Sequence, residues 1–149
     1  MTQHTASNTA QLAAFAAGLR FEDIPEPVVR KTEDLLVDWF GATVGGHGSR
    51  PVENINLFAR AMGSAQGSAE VIVDGTSNSP YLAAMVNAAA SHVAEQDDVH
   101  NGSVFHPATV VFSPAVAVAQ AAFCITLRIQ LPQAIHMQWW SAMAAVEVM

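Results

Sequence analysis

Positive charge is the scarcest feature of this sequence. Its 149 residues hold six lysines and arginines, scattered along the chain, against 13 acidic residues, for a formal net charge of −7. No basic footprint for nucleic acid and no polybasic membrane patch can be built from so few cations. Cys124 is the only cysteine, which excludes an internal disulfide and a cysteine-based metal framework. No apolar run reaches the length of a membrane span. Leu12 to Leu19 is apolar, but no lysine or arginine precedes it, so a signal peptide is not expected. A soluble, cytoplasmic protein is the expectation. There is no Gly-rich phosphate loop, no Gly-x-Ser-x-Gly elbow and no cysteine nucleophile in context.

Hydrophobic residues make up 51% of the chain, many of them alanine, and charged residues only 13%. Such sequences favour closely packed helices, so the expected fold class is mainly α, a helical bundle with one short strand. The length suits one domain with a real core. With so little polar surface, part of the exterior is expected to be covered by another domain or subunit, as in a homo-oligomer.

Residues 1–8 are polar and expected to fray. Gln11 to Arg20 reads as a helix with Leu12, Phe15, Ala16 and Leu19 on one face. Pro27 opens a second helix that runs to about Val44. Val28, Leu35, Leu36, Trp39, Phe40 and Thr43 form its expected buried stripe. Pro51 to Met62 is a third helix, with Val52, Ile55, Phe58 and Ala59 inward. Ala69 to Val73 is short, β-branched and bounded by turn residues, a small strand or an extended segment. Ser79-Pro80 pairs an N-cap with an N1 proline and starts a fourth helix reaching about Ala94. Ser113-Pro114 repeats that signal and predicts a fifth helix from there.

Chemistry concentrates between the last two helices. His92, Glu95, Asp97, Asp98, His100 and His106 fall within fifteen positions, in a loop punctuated by Asn101-Gly102. Ionised groups at this density each need a partner or a shifted pKa when buried. Taken alone, the Asp97-Asp98 pair also reads as a solvated loop or a helix cap. His92 reads as a buttress to the loop, and His100 as an exposed loop residue. His92, Asp97, His100 and His106 are ligand-type residues, but their spacing matches no standard zinc signature, so no metal is expected.

The ordered set of motifs from about Leu12 to Gln120 resembles the N-terminal part of the MmgE/PrpD family. That family includes 2-methylcitrate dehydratase, cis-aconitate decarboxylase and iminodisuccinate epimerase. The resemblance is carried by Leu36-Val-Asp38-Trp-Phe-Gly41 with Gly45-Gly46, by Ala69-Glu-Val-Ile-Val73 followed by Asp74-Gly75, and by Asn87-Ala-Ala-Ala-Ser-His92. The last leads into a His-x-x-acid-x-Asp-Asp pattern, and the loop closes with Gly102-Ser103, His106-Pro107 and Pro114-Ala115. The resemblance implies a helical domain that lines an active site shared with a second domain, without metal or organic cofactor. It implies lyase chemistry on a small polycarboxylate: dehydration of a 2-methylcitrate-like acid, or decarboxylation or epimerisation. His106, Asp97 and Glu95 are then the candidate catalytic residues. Asp98, His100 and Ser103 are candidate substrate contacts, and His92 gives structural support. Glu95 stands where aspartate is more usual, and Val99 where the family can hold a hydroxyl residue.

Family enzymes are several times longer, and their further histidine, lysine and tyrosine positions find no match here. The expectation is an incomplete family member, weakly active or inactive alone; the alternative is a non-catalytic association module or gene remnant. Residues 9–120 form the expected helical domain. From Ala121 to Met149 glycine disappears, and Glu147 and Arg128 are the only charged residues. A reading-frame change near codon 120 would produce such a break.

Overall fold

The computed structural model describes residues 6–130, with side chains to Ala122. It is mainly helical with one two-stranded hairpin. In order come α1 (Asn8–Gly18), a 3-10 turn (Phe21–Asp23), α2 (Glu26–Gly45), α3 (Arg50–Met62), β1 (Ala69–Val71), β2 (Thr76–Asn78), α4 (Pro80–Val93) and α5 (Pro107–Gln130). The chain forms two compact units, one ending at Leu35 and one beginning at Leu36.

The first unit holds α1, the 3-10 turn and the start of α2. Ser7 caps α1 by accepting a hydrogen bond from the Ala10 N–H, so this helix begins three residues before the sequence predicts. Its apolar residues Leu12 and Phe15, and Leu19 at its C-cap, are exposed. Glu26 and Arg30, one turn apart on α2, form an exposed ion pair at 2.5 Å.

The second unit contains the core, centred on α4. Leu82, Ala83, Val86 and Ala90 of α4 pack with Val52 and Ala59 of α3, Ala69 and Val71 of β1, and Ala117 of α5. Small residues let backbones approach closely here. A Cβ added to Gly46, just past α2, would fall 2.3 Å from the Ala90 carbonyl oxygen. Ser79 caps α4 through the Leu82 N–H, with Pro80 behind it, as its sequence predicts.

Buried amides fix the hairpin. Asn87 of α4 accepts from the Ile72 N–H and donates to the Glu70 carbonyl, both at 2.9 Å. Asn78 donates to the Ala59 carbonyl at the end of α3. β1 and β2 pair antiparallel, with Ala69 opposite Asn78 and Val71 opposite Thr76. Asp74-Gly75 makes the turn, and Gly75 has φ 67°. One Asp74 oxygen accepts from the Thr76 N–H and hydroxyl, the other from Asn56 and Arg60 of α3, at 2.6 Å each. Burial pushes the Asp74 carboxyl up, but these hydrogen bonds outweigh it and hold the pKa at about 2.

Four expectations need correction. The buried stripe of α2 reduces to Trp39, Ala42 and Thr43; Val28, Leu36 and Phe40 are exposed, because no described element covers them. Phe58 of α3 is likewise exposed. The strand after Gly67 has a partner, β2, whose polar Thr76-Ser77-Asn78 carries no alternation. Finally, α5 starts at Pro107, not Pro114. Pro107 occupies the helix entrance and the Asp98 carboxylate accepts the Ala108 N–H at 2.9 Å, so Pro114 falls inside the helix. The helix then passes Ala121 without interruption to Gln130. Residues 1–5 and 131–149, including Trp139-Trp140, lie outside the described residues.

Candidate active site

The site forms where α4 ends and α5 begins. His92 lies in the last turn of α4. Ala94 closes the helix, and Glu95 takes a left-handed φ of 49° that turns the chain. Asp97 then points inward, and its side chain is 0% exposed. Asp98, the next residue, caps α5. Residues 99–105 form an exposed excursion pinched at its neck, where the His100 N–H donates to the Phe105 carbonyl at 2.7 Å. The chain returns with His106 directly before α5.

Asp97 is the hub. Its Oδ2 accepts the Thr109 hydroxyl at 2.9 Å and lies 3.1 Å from His92 Nδ1 and 3.3 Å from His106 Nδ1. The two imidazole rings meet edge to face, centroids 4.7 Å apart. Behind Thr109 stands the fully buried Ser91, the two hydroxyls 2.9 Å apart. An isolated buried carboxylate would cost several kcal/mol. Burial raises the Asp97 pKa, but the hydrogen bonds from His92 and Thr109 and the nearby His92 more than compensate, and the group stays ionised below the ordinary carboxyl range.

The two rings differ in access. His92 is half exposed and His106 is 35% exposed. His106 Nδ1 is itself buried and makes no hydrogen bond of good geometry, although it faces Asp97. Its Nε2 has no partner among the described residues. An imidazole backed by a carboxylate on one nitrogen and free on the other is suited to moving a proton.

Of the residues expected from sequence, the fold therefore brings together His92, Asp97 and His106. Glu95 is exposed, and its side chain has no partner among the described residues. One Asp98 oxygen is occupied in capping α5. His100 Nδ1 and the Ser103 hydroxyl pair with each other at 2.9 Å on the exposed excursion. Sequence reasoning missed Thr109 and Ser91. The only available signal was position: Thr109 lies one turn beyond His106, and Ser91 precedes His92.

Residues 10–126 match the model of the MmgE/PrpD N-terminal domain. The chain belongs to the MmgE/PrpD family. Two cis-aconitate decarboxylases of Aspergillus terreus are similar to it. One, from strain NIH 2624 / FGSC A1156, is 32% identical over 116 residues, and the other 31% over 116 residues. In each case the alignment covers 74% of this chain and 22% of the relative. The MmgE/PrpD match thus extends past Gln120 within α5. It contains the whole His92–Asp97–His106 arrangement.

Proposed function

We propose that this domain forms one wall of a lyase site for a small polycarboxylate, with His106 as the proton-transfer group and Asp97 as its charged partner. One observation carries this reading: a part-exposed imidazole stands against a fully buried carboxylate at 3.3 Å. With Nδ1 turned to Asp97, Nε2 is the nitrogen left to take or give a proton at the substrate. His92, on the same carboxylate oxygen, holds Asp97 in place.

Two reaction types fit. In dehydration, a base removes the proton beside a carboxylate and an acid assists the departing hydroxyl. In decarboxylation, the C–C electron pair is left on carbon and an acid protonates it. The motifs of the sequence suit a 2-methylcitrate-like dehydration; similarity to the Aspergillus decarboxylases favours decarboxylation of a cis-aconitate-like acid. His106 serves as base in the first and as acid in the second. Asp98, His100 and Ser103 stay as proposed substrate contacts, with Glu95 a candidate acid at the loop's start. The chain spans 22% of the length of the relatives it matches, so the opposite wall is assigned to a further domain.

The test is histidine-selective NMR with cis-aconitate and 2-methylcitrate, alongside an absorbance assay for unsaturated acids. The expected result is perturbation of the His106 ring by at least one acid, lost in His106→Ala. If neither acid perturbs His92 or His106, the reading fails.

A second reading is favoured by the exposed apolar residues Leu57 and Phe58 of α3 and Val110, Val111 and Val118 of α5. In this reading the chain is a helical association module. Sizing chromatography decides it: a monomer at micromolar concentration removes association as a role.

A further inference from the structure

Asp97 Oδ2 is approached by three groups. The Thr109 hydroxyl donates to it at 2.9 Å, and two imidazole nitrogens lie 3.1 and 3.3 Å away. Three groups crowd one carboxylate oxygen, and His106 Nδ1 is left buried without a hydrogen bond. Wherever an imidazole is neutral with its proton on Nε2, its Nδ1 lone pair faces an anionic oxygen. A positive centre between them relieves that repulsion. A proton does so for one ring at a time; a metal cation does so for both at once.

We propose that His92 Nδ1, Asp97 Oδ2 and His106 Nδ1 form a three-donor site for a divalent transition metal of the zinc class. Two imidazoles and one carboxylate suit such ions rather than magnesium or calcium. Donors on a tetrahedral zinc ion with bonds of about 2.0–2.1 Å sit about 3.4 Å apart, near the two separations from Asp97 Oδ2. The three residues gather their ligand-type atoms within 4.8 Å of one another. Two of them are anchored on helix ends, His92 in the last turn of α4 and His106 against the start of α5. Thr109, on the same oxygen, is the outer partner that orients the carboxylate, and Ser91 orients Thr109. Both rings reach the surface, His92 half exposed, although His106 Nδ1 and the Asp97 side chain are themselves buried.

Occupancy has a chemical consequence for His106. An imidazole bound to metal through Nδ1 keeps its proton on Nε2, so it donates a hydrogen bond but no longer serves as a base. Metal and proton thus compete for one set of atoms, and a zinc-class ion inhibits any reaction that needs His106 to accept a proton.

The site is tested by calorimetric titration of Zn2+ into the protein in metal-stripped, carboxylate-free buffer, with Mg2+ as the control ion. The expected result is one equivalent of Zn2+ bound. Affinity falls at least about tenfold in both His92→Ala and His106→Ala and is unchanged in His47→Ala, a change to an exposed imidazole in the turn between α2 and α3. Nitrogen-15 NMR locates the ion: Nδ1 of His92 and His106 shift on addition of Zn2+. Both variants alter surface-accessible rings, and circular dichroism verifies their fold. Absence of Zn2+ binding, or binding that survives both substitutions, overturns the proposal. Binding of polycarboxylates is read separately in metal-free buffer, so failure of the metal site and failure of the lyase reading are distinct results.

Discussion

Asp97 sets what the surrounding side chains do, and its neighbours are the informative ones to change. Replacing Thr109 by valine removes the hydroxyl donor to Asp97 and leaves the Ser91 hydroxyl with the Ala88 carbonyl alone; the expected cost is about 1–3 kcal/mol of stability, read by urea denaturation at pH 7. Thr109→Ser keeps the hydroxyl and recovers most of it. A Thr109→Val protein as stable as the parent would show that the carboxylate does not depend on this contact. In a full-length family member, alanine in place of the histidine equivalent to His106 is expected to lower turnover by about 100-fold or more, measured at saturating substrate. Unchanged turnover would remove His106 as the proton-transfer group. The residues that meet at this point were legible only in part. His92, Asp97 and His106 announced themselves as rare polar groups in an apolar chain. Thr109 and Ser91 did not, because a hydroxyl on an alanine-rich helix has no distinguishing pattern until the fold sets another beside it.

At the scale of elements, the helix starts were the best-encoded feature. Ser79-Pro80 marks α4 correctly because the cap and the proline act within one turn of each other. Ser113-Pro114 bears the same signature and misleads. The Asp98 carboxylate caps α5 from nine residues before Pro107, a long-range contact that local reading does not see. β2 was missed for a related reason: its stability comes from Asn78 and from the Asp74 turn, not from an apolar alternation. The approach of Gly46 to Ala90 gives the sharpest test of packing. Gly46→Ala puts a methyl group into the α4 backbone, so the end of α2 or α4 must shift. The expected loss is about 2 kcal/mol or more, seen as a lower midpoint in thermal melts followed by circular dichroism. A neutral result would mean that this contact is looser than its geometry.

For the molecule as a whole, two carboxylates held below their ordinary range predict the direction of acid sensitivity, opposed by half-buried Glu70, whose pKa burial raises. Asp74 is held at about 2 and Asp97 below its ordinary value. A carboxyl whose pKa is depressed by folding contributes stability that is fully present above its unfolded pKa, near 4, and lost as pH falls through the folded value. The protein should therefore lose stability from about pH 4 downward, with the Asp74 share spent by about pH 2. Asp74→Asn lowers stability at pH 7 and flattens that acid limb, which denaturation between pH 2 and 7 measures. An acid limb identical in the variant would contradict the assigned Asp74 environment. The mainly helical class and the family were readable from composition and ordered motifs. The overestimate of buried surface on α2 and α3 was not avoidable, since periodicity identifies an apolar face without naming what lies against it.

Asp97 and Asp98 are neighbours in sequence, yet one secures the imidazoles and the other secures the next helix. Together with the His100–Phe105 pinch, they isolate residues 99–105 from everything that holds the two rings. That stretch is a replaceable cassette: shortening it by Gly102-Ser103, or grafting a longer turn between His100 and Phe105, should leave the ring resonances of His92 and His106 where they are. Evolution could rewrite the rim of such a pocket while its proton-handling floor stays fixed.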